Sequence, residues 1–171
     1  TAGCKPEDVG KAMGVDAGNF ENSKIYIVGP LTLQNEFLSY VIKKEICGNC
    51  FIFDRELNSF SESQNTESGG GSEKRLILID TEDQSFEEIL KSILTNGNIS
   101  NDLIALFNLN ENAGVERKAL ARNIRGFFYK DDHFEIFLKG IRSILTGEIW
   151  VSREVLLKCV YESFNEKKIA L

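Results

Sequence analysis

One stretch limits the fold of this chain more than any other: the run from Arg75 to Asp80, which reads Arg-Leu-Ile-Leu-Ile-Asp. Consecutive aliphatic residues cannot alternate between a wet face and a dry face, so a strand built from them must be covered on both faces. Burial on both faces is typical of the central strand of a parallel sheet. An acid at the carboxyl end of such a strand is expected to face the crevice where open α/β sheets place their sites.

Other short apolar runs predict strands, and patterns with helical spacing lie between them. The strands are expected at 24–28, 50–54, 102–107 and 126–130. The helices are expected at 31–46, 84–94, 110–124, 134–145 and 152–164. This alternation predicts a doubly wound, flavodoxin-like α/β fold with a five-stranded parallel sheet and an added C-terminal helix at 152–164, which is the sixth helix if a helical turn at 57–60 is counted.

The chain has 171 residues, a length typical of one domain with an ample core. We expect a loose N-terminal arm at residues 1–22 and the folded domain at residues 23–166. The start of a linker is expected at residues 167–171. The Ser- and Gly-rich stretch 55–74 predicts a flexible loop with a frayed helical turn at 57–60. No apolar run could span a bilayer and no signal peptide is evident, so we expect a cytoplasmic protein with no membrane contact.

The formal net charge is -6, which excludes binding of nucleic acid through a broad basic face of this segment. The pair Cys47 and Cys50 has the spacing of a redox pair or of half a zinc site. A second such pair is missing and His133 is the only histidine, so structural thiols are favoured and no metal is expected. No Ser/His/Asp set is evident either, so we expect a protein that is not an enzyme.

The turn between the last two helical patterns holds the only tryptophan, Trp150, followed by Val151, Ser152 and Arg153. Ser152 is a good N-cap for the last helix, and Arg153 would lie in its first turn. A flat ring, a planar cation and a hydroxyl suit a flat, anionic ligand such as a nucleotide. The structural alternative is a tryptophan that fills the gap between two helices beside an exposed arginine.

The whole arrangement resembles a response-regulator receiver domain over about residues 24–166, and its last part is similar to the end of the LuxR-type (FixJ/NarL) receivers. This similarity rests on Gly-Phe-Phe-Tyr-Lys-Asp-Asp at 126–132, on the helix at 134–142 and on Gly-Glu-Ile-Trp at 147–150. In that family a DNA-binding helix-turn-helix domain follows the receiver. The resemblance therefore implies that such a domain, absent from this chain, binds DNA in the full-length regulator.

The same resemblance places a phosphoacceptor at Asp80 and the usual lysine at Lys130. Asp54, on a neighbouring strand, is then a candidate ligand for magnesium. Two departures speak against ordinary phosphorylation and against magnesium: Gly29-Pro30 replaces the acidic pair after the first strand, and Phe107-Asn108 replaces the hydroxyl residue after the fourth. The structural alternative is a salt bridge between Asp80 and Lys130.

Trp150-Val151-Ser152-Arg153 resembles the Trp-[Phe/Leu/Met]-[Thr/Ser]-Arg motif of biofilm-matrix regulators of the VpsT/CsgD type, from which only Val151 departs. The resemblance implies that two protomers bind cyclic di-GMP at a dimer interface, independently of phosphorylation, and so control DNA binding. Lys139 and Arg142 are candidate phosphate partners, or else part of a solvated helix face. Two other functions stay open: a dimerisation module without a ligand, and a phosphoryl-accepting receiver that uses Asp80.

Overall fold

The computed structural model describes residues 19–54, 73–95, 101–111 and 114–169. Strands and helices alternate along the chain. The strands are β1 (Lys24–Val28), β2 (Cys50–Phe53), β3 (Arg75–Asp80), β4 (Leu103–Leu109) and β5 (Ile124–Tyr129). The helices are α1 (Leu33–Glu45), α2 (Phe86–Thr95), α3 (Glu116–Ala121), α4 (Phe134–Leu145) and the added C-terminal helix α5 (Arg153–Ile169).

The strands form one parallel sheet in the order β2-β1-β3-β4-β5, so β3 is central and β5 lies at an edge. The predicted doubly wound α/β fold is therefore confirmed. Successive residues of β3 enter opposite layers: Leu76 and Leu78 pack with α1 and α4, and Ile77 and Ile79 pack with α2. All four side chains are at most 1% exposed, as the unbroken apolar run predicts.

Strand β4 ends two residues later than expected and β5 begins two residues earlier, and two predicted helices have the wrong bounds. The helix expected at 110–124 is the short α3, because Asn123 adopts a left-handed φ of 62° and Ile124 already belongs to β5. Ile124, the last residue of the expected helix, is instead buried as a strand residue. The last helix continues to Ile169 and so overlaps the expected linker at 167–171. Most of the expected arm and nearly all of the expected loop lie outside the described residues. The frayed turn at 57–60 lies wholly outside them.

The two thiols of the Cys47–Cys50 pair are free and buried where α1 leads into β2. Burial raises the pKa of the Cys50 thiol from 9.0 to about 11, although a hydrogen bond with Ser39 opposes the shift. Burial also raises the pKa of the Cys47 thiol. At neutral pH both thiols are therefore protonated and are poor nucleophiles. This environment fits the predicted structural role of the pair.

The raised pKa of Cys50 predicts a loss of stability in alkali. Below pH 9.0 the folded and unfolded chains both keep the proton, and between pH 9.0 and about 11 only the unfolded chain releases it. The free energy of unfolding should therefore fall as the pH rises through this window, by about 2–3 kcal/mol from this thiol. Urea unfolding of wild type and Cys50→Ala at several pH values measures this contribution as a difference. A stability difference between the two proteins that does not change with pH would contradict the prediction.

Candidate ligand-binding site at the sheet edge

The turn that precedes α5 pairs with the open edge of the sheet. Trp150 N donates to Arg125 O at 2.7 Å, and Phe127 N donates to Trp150 O at 3.1 Å. Trp150 thus forms a parallel bridge with Gly126, as one residue of an extra strand would. Because side chains alternate along a strand, Trp150 packs in the layer of α1 and α4, and Val151 packs in the layer of α2 and α3. The turn therefore carries the chain across the sheet edge.

The indole ring of Trp150 lies directly over a glycine of α4. A methyl group added at Gly140 would lie 2.7 Å from the indole Nε1, 2.8 Å from Cε2 and 2.4 Å from Cε1 of Phe128. Such contacts are too short for any side chain, so only glycine allows the ring to approach α4 this closely. The ring is half-buried, and its position is set by the packing of α4 on the sheet. Trp150 therefore fills the gap between the last two helices and also fixes the turn that presents Ser152.

Ser152 caps α5, as the sequence predicts. Its Oγ accepts a hydrogen bond from Val155 N at 3.2 Å, and its carbonyl oxygen accepts one from Leu156 N at 3.0 Å. The hydroxyl proton is not used in the cap, so it remains available to an acceptor. Ser152 and Arg153 are both exposed, and within the described chain the Arg153 guanidinium makes no hydrogen bond or ion pair. A free cation thus stands beside the N-terminus of a helix, where unpaired N–H groups favour anions.

One of the acids near this motif, Glu148, is directed away from it. The Glu148 carboxylate accepts a short hydrogen bond from the Ser143 hydroxyl on α4. At the far end of α5, Arg117 of α3 donates to both carboxylate oxygens of Glu166, which lowers the pKa of that carboxyl. This pair attaches α5 to the layer of α2 and α3. The helix that carries Arg153 is therefore held at both ends.

A second cluster occupies the carboxyl end of the central strand. Asp80 is 4% exposed and accepts hydrogen bonds from the side-chain amides of Asn35 at 2.9 Å and Asn108 at 2.8 Å. The backbone N–H of Glu82 donates a third bond at 3.0 Å. Gly29 leaves room for the carboxylate, since a methyl group there would lie 2.6 Å from Cβ of Asp80. Amides of the protein thus satisfy both oxygens of Asp80.

Residues 32–153 match the sequence model of the VpsT-like receiver domains. The chain belongs to this family. The match begins one residue before α1 and ends at Arg153, so it includes Asp80, its hydrogen-bond donors and the whole edge motif, whereas β1 and Gly29 precede it.

Two solved structures share the fold of this VpsT-like receiver. The regulatory domain of the master biofilm regulator CsgD superposes with a TM-score of 0.54 at 17% identity and covers 81% of this chain and 98% of its own. A response regulator from Colwellia psychrerythraea gives a TM-score of 0.52 at 18% identity and covers 74% of this chain and 98% of its own. Identities this low establish the fold alone. Comparison with curated proteins gives no significant match.

The predicted phosphorylation residues do not assemble in this VpsT-like receiver. Lys130 pairs with Glu82 at 2.9 Å, so the structural alternative of a salt bridge between Lys130 and Asp80 is wrong. Asp54 is exposed and follows β2, which β1 separates from β3, so its assignment to a neighbouring strand is also wrong. Asn108 stands where the fourth strand was expected to end, and its left-handed φ of 60° directs the side chain to Asp80.

The two candidate phosphate partners on α4 have different surroundings. Lys139 is exposed and adjacent in sequence to Gly140, on which the Trp150 ring packs. Arg142 instead donates to the carbonyl oxygen of Glu45 at 2.9 Å, so its guanidinium is directed toward the end of α1. The structure thus leaves Lys139 available and engages Arg142 elsewhere.

Sequence reasoning missed three residues on which this VpsT-like receiver depends: Asn35, Asn108 in its role as a donor, and Gly140. A glycine inside a helical pattern was a usable signal for Gly140, because such a glycine usually has a packing reason. Asn35 gave no signal, since an asparagine on an amphipathic helix is ordinary. Among the described residues no group of three or more His, Cys, Asp or Glu side chains is arranged to hold a metal ion. None of the described helices is long and apolar enough to cross a bilayer.

Proposed function

We propose that this receiver domain senses cyclic di-GMP at Trp150–Arg153, and that two protomers share the nucleotide and thereby control an appended DNA-binding domain. One observation carries the proposal: the motif is divided into an anchored half and a free half. Trp150 and Val151 pack into the two core layers, whereas Ser152 and Arg153 are exposed at the start of α5. A rigid support with free hydrogen-bonding groups is what a binding site requires.

The free groups match the chemistry of a cyclic dinucleotide. The Arg153 guanidinium can stack on a guanine face or donate to its O6 and N7 acceptors. The Ser152 hydroxyl and the N–H groups at the helix start suit a phosphate, and Lys139 is the available second cation. Arg142 is given no role in binding, because it is bonded to α1.

A second copy would meet an apolar surface on α5. Five large apolar side chains of this helix are between 44% and 69% exposed, namely Leu156, Leu157, Val160, Tyr161 and Phe164. Exposed groups of this kind at helical spacing are typical of a helix that packs against a partner. A nucleotide bound at the helix start, next to this surface, would add contacts to both protomers and so favour the dimer. Paired receivers would bring two DNA-binding domains to adjacent half-sites.

The cluster around Asp80 supports control that is independent of phosphorylation. A phosphodonor needs access to a carboxylate oxygen, a divalent cation and a lysine. Asp80 is buried, both of its oxygens accept amide hydrogen bonds, and Lys130 pairs with Glu82. We therefore expect no acyl phosphate on Asp80 after incubation with acetyl phosphate and magnesium. Intact mass measurement tests this, and a phosphorylated species that disappears in Asp80→Asn would favour the phosphoryl-accepting alternative.

Isothermal titration of cyclic di-GMP into wild type, Arg153→Ala and Arg122→Ala tests the proposed site. Wild type should bind with one nucleotide or more per two protomers, and Arg153→Ala should bind about 10- to 100-fold more weakly, as loss of a charge-assisted hydrogen bond predicts. Arg122, an exposed arginine on the C-terminal side of α3, is the matched control and should bind like wild type. Absence of binding heat in wild type would contradict the proposal and favour a dimerisation module without a ligand.

A further inference from the structure

A cavity lies at the carboxyl ends of β4 and β5, where the edge motif does not reach. It has a volume of about 110 Å³ and opens between α1, which contributes Gln34 and Leu38, and α4, which contributes Phe134 and Phe137. The edge motif instead bonds to residues 125 and 127, in the first half of β5. The α1–α4 cavity, as we call it, is therefore separate from the proposed nucleotide site.

The α1–α4 cavity has an aromatic floor. Phe107, Phe128 and Phe137 are all buried there, together with Leu38. The ring of Phe134 contacts that of Phe137, with centroids 6.4 Å apart, but Phe134 is only partly buried and so lies at the opening. An apolar cavity of about 150 Å³ can hold a benzene ring, so this smaller one suits an aliphatic group of about four or five carbon atoms.

The polar side chains that line the cavity differ in how far their hydrogen bonds are satisfied. Gln34 and Asn108 bond to each other through their amides, at 3.2 and 3.4 Å. Lys130 is already held in an ion pair. Asp132 accepts a hydrogen bond from Tyr129 N at 2.8 Å on Oδ2, and within the described chain nothing donates to its Oδ1. One carboxylate oxygen is thus available beside an apolar space.

The charges at the opening favour a cation. Asp131 and Glu135 are exposed and adjoin Asp132 and Phe134 in sequence, and the chain as a whole has a formal charge of -6. The start of α4 would by itself favour an anion, but the carboxylates of these acids already lie there. An ammonium group is stabilised both by a carboxylate and by the face of an aromatic ring. Asp132 and Phe134 supply this combination.

We propose that the α1–α4 cavity binds a small primary alkylammonium compound. The aliphatic part of the ligand packs on Phe128 and Phe137, and its ammonium group donates to Asp132 Oδ1 and lies against the ring of Phe134. A ligand bound in this way contacts α1 and α4 together, so it stabilises their packing at this end of the sheet. The binding requires neither the edge motif nor a nucleotide.

Titration of n-butylamine into the full chain, in a buffer free of amines, tests the proposal by NMR spectroscopy of the backbone amides. The largest shifts should occur at residues that line the cavity, with a dissociation constant of about 1 mM or somewhat weaker, as expected for so small a ligand. From ethylamine to butylamine the affinity should rise about fourfold for each added CH₂ group. Butanol and butyrate should bind at least roughly tenfold more weakly than butylamine, because neither carries a positive charge.

Two variants with the same change in charge locate the ammonium group. Asp132→Asn should weaken butylamine binding at least roughly tenfold, whereas its side-chain oxygen can still accept from Tyr129 N and so preserve the turn. Asp131→Asn is the matched control, since Asp131 is exposed and does not line the cavity, and it should bind like wild type. Phe134→Leu keeps an apolar side chain without a ring and should weaken binding about three- to tenfold.

The outcomes separate this site from unfolding and from the nucleotide site. Thermal unfolding of Asp132→Asn without ligand should be close to that of wild type, and the comparison of butylamine with butyrate needs no variant. Arg153→Ala should bind butylamine like wild type, so a failed nucleotide titration leaves this test intact. The absence of shifts at the cavity with about 50 mM butylamine would overturn the proposal. Equal weakening by Asp131→Asn and Asp132→Asn, or tighter binding of butyrate than of butylamine, would also overturn it.

Discussion

The Asp80→Ala variant is expected to unfold with a free energy about 3–5 kcal/mol lower than that of wild type. Asp80 accepts hydrogen bonds from two side-chain amides and one backbone N–H in a buried site. Alanine would remove this acceptor from all three donors, and the amides of Asn35 and Asn108 would keep only their bonds to Pro30 O and Gln34 Oε1. Each unsatisfied buried donor costs about 1–3 kcal/mol, and partial relaxation or water entry reduces the sum. Urea unfolding followed by circular dichroism measures the difference.

Two further variants show whether the amides around Asp80 cause this loss. Asp80→Asn keeps the size of the side chain but turns one NH₂ group toward an amide donor, so an intermediate loss of about 1–3 kcal/mol is expected. Lys130→Ala removes a partly exposed ion pair with Glu82 and should cost less than about 1 kcal/mol. If Asp80→Ala were no more harmful than Lys130→Ala, the carboxylate would not hold this end of the sheet together.

The Gly140→Val variant is expected to lose about 2–4 kcal/mol and to displace the only tryptophan. Even one added carbon at this position meets the rings of Phe128 and Trp150 at 2.4–2.8 Å, and Phe128 is already buried in the core. The indole must then move outward, and the turn that is bonded to β5 must move with it. Trp150 is the single tryptophan, so its fluorescence reports the displacement directly.

The same variant links packing to the proposed binding site. Gly140 touches the ring of Trp150 and none of the free groups of the motif, so weaker nucleotide binding in Gly140→Val would show that anchoring of Trp150 positions Ser152 and Arg153. Gly48→Ala is the matched control, because a methyl group there meets nothing within 4 Å. An unchanged emission spectrum and unchanged stability in Gly140→Val would contradict the close contact between Trp150 and α4.

The Asp80 cluster keeps an acid at the expected phosphoacceptor position and surrounds it with amide donors. Gly29 stands where an acidic metal ligand was expected, and it has no side chain. The Asp80 side chain occupies the space that a side chain at Gly29 would need. Asn108 supplies a donor where a hydroxyl residue was expected. Because the side-chain amides of Asn35 and Asn108 donate to the Asp80 carboxylate, this carboxylate does not need a cation as its partner. Lys130 pairs with Glu82 instead. A carboxylate with fixed partners stabilises one arrangement of this edge, which agrees with the proposed control from Trp150–Arg153.

The order of the secondary structure follows from local patterns. An unbroken apolar run needs cover on both faces wherever it lies, so the central position of Arg75–Asp80 was predictable from those residues alone. The capping role of Ser152 depends only on its own hydroxyl and the next turn, and it was predictable for the same reason. The end of α3 was not, because Ile124 fits a helical stripe as well as a strand, and only pairing with β4 decides between them.

The site residues divide in the same way. The sequence indicated the edge motif and Asp80, because aromatic, cationic and acidic residues next to turns are recognisable from their neighbours. Only the tertiary structure showed that Asn35 and Asn108, which are 45 and 28 residues from Asp80 along the chain, meet on its carboxylate, and that Lys130 does not. Hydrogen bonds and ring contacts between distant segments depend on how the helices pack on the sheet. That packing is a property of the whole core and of no single stretch of residues.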